Sequence, residues 1–263
     1  MSDYRCWQGQ SAAIQGGNKP LIPLLGNPLI ERVIRAASEA GVDEFFVVVG
    51  HQGEQLSHFL EHLAQSLVIP ITPLVNNDWD KDNGLSVLKA QEVLYEPFLL
   101  LMADHLFDPQ LVKELMALEL GDREVALVVD GTTRNPLIDM ADVTRVKMED
   151  DGLMKKIVGI GKELADFNGF DTGIFLCSPA IFEALQKSQE KNGDTSLSGA
   201  VRILAEQGRA KAMVIDGFWI DVDDPAAFKR AEQALLKRLA DKSNDGPVAR
   251  HLNRPFPSVC RKS

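Results

Sequence analysis

Cysteine is scarce in this chain of 263 residues: Cys6, Cys177 and Cys260 are its three, widely separated and with no CxxC pair. That spacing excludes a disulfide framework and a cysteine zinc site, and it suits a reducing cytoplasm. Long apolar runs are lacking too. All fall far short of the ~20 residues that cross a bilayer. No basic segment followed by an apolar stretch opens the chain, so neither a membrane span nor a secretory leader is expected. Positive charge is in the minority: 28 Lys and Arg stand against 38 Asp and Glu, a formal net charge of -10. That balance argues against general nucleic-acid binding but leaves room for a small anionic ligand in a locally positive pocket. Internal repeats are absent. What is present is an ordinary apolar fraction of 45% with 25% charged residues, enough for one large α/β domain or two small ones.

The order of patterns is informative. GNPLIERVIRAASEAGV reads as a helix, with Asn27 as its cap, Pro28 at the first helical position and Gly41 at its end. Ile30, Val33, Ile34 and Ala37 make its buried stripe. EFFVVVG is a strand apolar throughout, and Leu56, Phe59, Leu60 and Leu63 mark a second helix. SLVIPITPLV is strand-like, LSVLKAQEVL a short helix, FLLLMA a strand, DPQLVKELMAL a helix and EVALVVD a strand. Wholly apolar strands alternating with amphipathic helices predict a doubly wound, mainly parallel α/β sheet covered on both faces. After Asp130 the pattern changes. VTRVKMEDDGLMKKIVGI reads as a hairpin turning at Asp151-Gly152, and GFDTGIFLC as a further strand, together an antiparallel addition beside the main sheet. Helices from Pro179 and Leu197, a strand AKAMVID and a long helix from Pro225 to about Lys242 complete a domain spanning 19–242. A tail, 243–263, follows, in which Arg250, Arg254, Arg261 and Lys262 outweigh Asp245.

Three stretches carry candidate chemistry. In PFLLLMADHLFDP, six apolar residues, Phe98 to Ala103, run into Asp104 and His105. Ligands of an open parallel sheet bind beyond the carboxyl ends of its strands, so a carboxylate there can hold Mg²⁺; equally, Asp104 can cap the next turn. In DGFWIDVDDPAAFKRAEQAL, Asp221 and Asp223 lie two apart on the same side of an extended chain, and either could complete a metal site with Asp104. The competing role is capping by Asp223 or Asp224 ahead of Pro225. In GGNKPLIPLLG, Lys19 follows Gly16-Gly17 and can lie along a triphosphate as a point donor, or be a solvated surface lysine.

Taken in order, KPLIPLLGNPLIERVI…GVDEFFVVVGH, LLLMADH and FWIDVDDPAAFKRA resemble the nucleotidyltransferase superfamily that joins sugar or alcohol phosphates to nucleotides. The resemblance runs from about Lys19 to Leu239. It implies a Rossmann-like fold, Mg²⁺, Asp104 as the metal-binding catalytic aspartate, Asp221 and Asp223 as the second metal motif, and Lys19 on the triphosphate. Within the superfamily, NNDWDKDNGLSVLKA, MADHLFDP, GIGKELADFNGFDTGIFLCSP and DTSLSGAV resemble the CTP:inositol-1-phosphate cytidylyltransferases. That likeness implies Asn83, Gly84 and Ser86 beside the nucleotide base, Asp171, Thr172 and Gly173 facing the acceptor, and Lys162 on the acceptor phosphate. Asn83-Gly84 is equally a turn dipeptide, and DTG equally the start of a strand. Competing functions are transfer to phosphocholine or a sugar 1-phosphate, and a catalytically impaired nucleotide-binding partner subunit. The tail DGPVARHLNRPFPS resembles the segment that opens the membrane-embedded CDP-alcohol phosphotransferase module of bifunctional di-myo-inositol phosphate phosphate synthases. The likeness implies such a module as partner and a cytoplasmic or membrane-associated location, whereas composition alone makes the tail a basic terminus.

One part of the superfamily pattern is missing. Its members open with a buried strand and a loop L-A-A-G-x-G-[ST]-R-L, whose backbone N–H groups wrap the triphosphate and whose Arg helps neutralise the leaving pyrophosphate. MSDYRCWQGQSAAIQGGNKPL has no apolar strand, no G-x-G and no Arg after the glycines. Gly16 and Gly17 stand where nucleotide contacts would fall. A shifted reading frame or a wrongly chosen start over the first ~15 residues is the expected cause. The sheet neighbours of such a strand are expected to lose backbone partners and apolar cover, at ~1–3 kcal/mol for each buried group left unsatisfied.

Overall fold

The structure, a computed structural model, describes residues 18–132, 135–151 and 154–244. The expected segments 1–18 and 243–263 therefore lie almost wholly outside the described residues, and with them Gly16, Gly17 and the basic tail. A 3₁₀ turn at Lys19–Leu21 leads into a tight hairpin of β1 (Pro23–Leu24) and β2 (Asn27–Pro28), reversed through Leu25 and Gly26, both at positive φ. Asn27 thus belongs to the hairpin and does not cap the first helix; Pro28 holds the cap position itself, a place where its missing N–H costs nothing. Helix α1 (Leu29–Glu39) buries Leu29, Ile30, Val33, Ile34 and Ala37, the stripe read from its periodicity. Gly41, at φ +110, turns the chain out of it.

There follow β3 (Phe45–Val49), α2 (Gly53–Leu67), β4 (Ile71–Val75), α3 (Asn83–Leu88), β5 (Phe98–Leu101), β6 (His105–Phe107), α4 (Pro109–Met116) and β7 (Val125–Asp130). The second half is β8 (Arg145–Asp151), β9 (Met154–Gly161), β10 (Gly169–Cys177), α5 (Ala180–Asn192), α6 (Leu197–Glu206), β11 (Ala210–Ile215), β12 (Trp219–Asp221) and α7 (Pro225–Asn244). The main sheet has the order β5-β10-β7-β11-β9-β8. Strands β7 and β11 are parallel, as are β3 and β4. Because β10 is antiparallel to both β5 and β7, the strands β5, β7 and β11 all point the same way.

The β8–β9 hairpin is an antiparallel addition at the sheet edge, as its turn signal predicts. Strand β10 is not beside the main sheet but inside it. Every residue of β10 except Asp171 is buried, and a strand with no polar face has to be covered on both sides. One core gathers β7, β10 and β11 against α5 and α6; a second lies on the opposite face under α1, α4 and α7. The result is the expected α/β class. No helix among the described residues is long and apolar enough to cross a membrane.

A groove of about 820 Å³ runs between β3 and β5, touching Phe45, Phe46, Val47 and Val48 in succession on one side and Phe98, Leu99, Leu100 and Leu101 on the other. Successive strand residues point to opposite faces, so a cavity that meets all of them follows the strand edges. Among the described residues, β3 pairs with β4 and β5 with β10, on their other sides. These edges are where loss of a backbone partner is expected. Asn18 donates through Nδ2 to the Gln52 carbonyl (3.3 Å), just past β3. Lys19 meets Asp104 just past β5, so the described chain begins at the groove's carboxyl-terminal mouth.

Candidate functional site

The strand that ends in a charge does so because the chain turns there. His105 N–H donates to the Met102 carbonyl (3.3 Å), and the chain leaves as β6, antiparallel to β12. The register sets Phe107 opposite Trp219, Leu106 opposite Ile220 and His105 opposite Asp221. Val222 N–H extends the ladder to the Asp104 carbonyl (3.0 Å). Backbone pairing thus brings two carboxylates from distant parts of the sequence to one place. The pair is fixed from beneath by Asp130, the last residue of β7. Buried Asp130 accepts from Trp219 Nε1 and Asn135 Nδ2, each at 2.8 Å, and from Thr132 N–H at 2.7 Å.

Opposite charges close around Asp104. Lys19 Nζ is 2.6 Å from its Oδ2 and His105 Nε2 is 3.8 Å from its Oδ1. Burial pushes the Asp104 carboxyl up, but the His105 and Lys19 charges outweigh it and hold the group below its ordinary range. For His105, burial acts downward. It is overcome by Asp221, 3.3 Å away, then by Asp104 and by the Thr172 carbonyl 2.8 Å from Nδ1, and the ring is raised to about 9. At neutral pH both ring nitrogens therefore carry protons and donate. A group whose folded pKa lies above its ordinary 6.5 stabilises the fold fully below that value, and the contribution is lost as pH rises through about 9. Urea unfolding between pH 7 and pH 10 should show stability falling, with a flatter profile in His105→Gln; parallel profiles would remove His105 as the source.

Strand β10 reaches this ring because residue 173 is glycine. Gly173 has φ +73, and a Cβ there would stand 2.3 Å from His105 Nδ1 and 2.9 Å from Met102 Cγ. Its N–H donates to Asp171 Oδ1 (2.8 Å). Asp171 is raised to about 6, chiefly by burial.

A second cluster shares Asp221. One ligand atom each from Asp104, His105 and Asp221 lies within 4.8 Å of the others, and so does one each from Asp142, Asp221 and Asp223. Asp223 is pushed up to about 6 by burial, by the Asp221 charge and by a hydrogen bond with Asp142. Asp142 is held low, first by Lys162, with which it forms an ion pair, and then by Asp223. Asp221 Oδ1 is buried and has no partner. A convergent set of carboxylate oxygens with one left unsatisfied suits a hard divalent cation such as Mg²⁺. Beside it opens a cavity of about 190 Å³ lined by Asp171, Gly173, Lys162, Asn83, Asp221 and Asp223 among others.

The sequence-derived candidates divide accordingly. Lys19, Asp104, Asp221 and Asp223 come together, and Lys162, Asp171 and Gly173 border the adjoining cavity. Asn83 borders it too, with Oδ1 accepting from Leu197 N–H (2.9 Å). Ser86 Oγ accepts from buried Asn76 Nδ2 (3.0 Å) and borders the long groove. Gly84 is a packing glycine, since a Cβ there would stand 2.3 Å from the Thr195 carbonyl and 2.5 Å from Leu185 Cδ2. Thr172 corrects an expectation. Its side chain is wholly buried, with Oγ1 donating to the Val128 carbonyl (2.7 Å), and it does not line the cavity that Asp171 and Gly173 border; alternation along β10 makes it so. Sequence reasoning assigned no role to His105, Asp130 or Asp142. Asp142 lies in an irregular segment with no periodicity to mark it. His105 and Asp130 could have been found as polar residues ending apolar strands.

Carboxylates and a lysine are thus gathered past the carboxyl ends of the strands of an α/β sheet, at the half-buried crevice where such sheets bind their ligands. The chain belongs to the family of MobA-like NTP transferase domains, which it matches over residues 9–260. It is 35% identical over 90% of its length to the "Bifunctional IPC transferase and DIPP synthase" of Rubrobacter xylanophilus, and 32% identical over 90% to the protein of that name from Thermococcus kodakarensis. In each case it spans 52% of the relative, about half the length of these curated proteins. Among solved structures, the inositol-1-phosphate CTP transferase from T. maritima superposes with a TM-score of 0.73 at 23% identity, over 90% of this chain and 92% of that one. A UDP-glucose pyrophosphorylase complexed with UDP-glucose gives 0.69 at 20% identity, over 84% and 90%. These two share the fold.

Proposed function

We propose that this chain transfers the cytidylyl group of CTP to inositol 1-phosphate, releasing pyrophosphate and forming CDP-inositol. The observation that carries the reading is the convergence of Asp104 and Asp221 beside Lys19, in a chain whose curated relatives are named IPC transferases. A phosphate oxygen of the acceptor attacks the α-phosphorus of CTP in line. The bond from that phosphorus to the bridging oxygen breaks, and pyrophosphate departs with the electron pair. The acceptor phosphate is already ionised near neutral pH, so no general base is needed; positioning and charge neutralisation dominate.

Asp104 and Asp221, with Asp223 or Asp142, would hold Mg²⁺, which supplies charge neutralisation at the triphosphate. Lys19 lies along the triphosphate, Asn83 and Ser86 border the base, and Lys162, drawn from its pairing with Asp142, meets the acceptor phosphate. The product would be consumed by a CDP-alcohol phosphotransferase, the partner that the likeness of the tail implies. Pyrophosphate release should be measured with CTP and, separately, inositol 1-phosphate, phosphocholine and glucose 1-phosphate. Inositol 1-phosphate should lead phosphocholine by about 10⁴-fold, the discrimination of a site that hydrogen-bonds substrate hydroxyls. A lead by another acceptor would replace the substrate, and failure to bind Mg-CTP at all would make the chain a silent partner subunit.

A further inference from the structure

Arg230, on α7, is the exception among the described arginines. Each of the others holds a hydrogen bond or an ion pair. Arg230 makes neither with any described residue, and its Nε is buried without a partner. Yet it lines the 190 Å³ cavity alongside Asp221, Asp223 and Lys162. The helix holds it there. Asp224 caps α7 by accepting from Ala227 N–H (2.6 Å), and Ala227, Phe228 and Ala231 are packed in the core around the Arg230 position. A partly desolvated guanidinium without a hydrogen-bonded counter-charge is costly.

We infer that Arg230 is the second cation of the acceptor subsite, gripping the phosphomonoester of the incoming substrate together with Lys162. This rests on the cavity being the acceptor site of the proposed transfer. A guanidinium presents a planar fork of donors that matches two oxygens of one phosphate. The neighbourhood selects the acceptor over the triphosphate: Asp171, Gly173 and Lys162 share the cavity with Arg230, whereas Lys19 and Asp104 are not among its lining residues. Lys162 is tied to Asp142, so before substrate arrives Arg230 is the cavity's uncommitted positive charge. Sequence reading passed over it because an arginine in a long amphipathic helix looks like part of the solvated face.

The test is calorimetric binding of inositol 1-phosphate, phosphocholine and Mg-CTP, each titrated separately into the whole chain and into Arg230→Ala and Arg230→Lys. Arg230→Ala should weaken inositol 1-phosphate by about 10- to 100-fold, the worth of charge-assisted hydrogen bonds, and leave Mg-CTP binding unchanged. Arg230→Lys, a point donor, should fall between. Unchanged inositol 1-phosphate binding in Arg230→Ala, or equal losses for acceptor and nucleotide, would overturn the assignment. If the native chain binds phosphocholine and not inositol 1-phosphate, and Arg230→Ala weakens that, the arginine's role stands and the inositol reading falls. A native chain that binds neither phosphomonoester would remove the assignment.

Discussion

Asp104→Asn should lower CTP-dependent pyrophosphate release by about 10²–10³-fold, the scale of losing one preorganised charge interaction at a reacting centre. The substitution keeps the shape of the side chain and removes its charge. Asp104 is the carboxylate on which Lys19 and His105 both converge, and its ionised form is favoured even though burial opposes it. That arrangement spends structure on keeping a negative charge at the mouth of the crevice. With asparagine there, Lys19 loses its 2.6 Å partner and the cation site loses one anionic oxygen, so both positioning and neutralisation of the triphosphate suffer. The fold should be little affected, because β5, β6 and the ladder to β12 are held through backbone groups. Turnover within about threefold of the native chain would take Asp104 out of the chemistry.

Much of this was legible before the structure. The helices and strands of the first half follow from their periodicity, and the meeting of Asp104 with Asp221 follows from two apolar strands that each end in a carboxylate. What escaped the sequence was pairing order. Strand GFDTGIFLC has no polar face, and the same physics that forces it between β5 and β7 was available in its composition. Thr172 was misread because likeness marks a segment, whereas facing is decided residue by residue through alternation. Asp142 becomes visible only when its non-local contact with Asp223 is made. Arg230 is invisible for a subtler reason: its significance is a missing partner, which no pattern in one chain can display.

The amino-terminal departure from the superfamily acquires a physical counterpart in the groove between β3 and β5. Among the described residues, two strands face each other across it unpaired, Phe45 to Val48 and Phe98 to Leu101, and this is where a strand-poor amino terminus would be felt. The functional crevice adjoins the carboxyl-terminal mouth of that groove: Asp104, His105 and Asp221 are held where β5 ends and β6 pairs with β12, Asp142 comes from the irregular segment after β7, and Lys19 reaches Asp104 from the start of the described chain.

Asp104 and Asp221 should belong to one cation site, and a Mn²⁺ titration followed by electron paramagnetic resonance tests this without requiring turnover. The native chain should bind the ion more tightly at pH 7 than at pH 5, because protons compete for Asp223, whose carboxyl is raised to about 6. Asp221→Asn, which blunts the carboxylate carrying the unpartnered buried oxygen, should weaken binding by about 10²-fold or more, as should Asp104→Asn. Equal Mn²⁺ affinity in the native chain and both variants would contradict the claim.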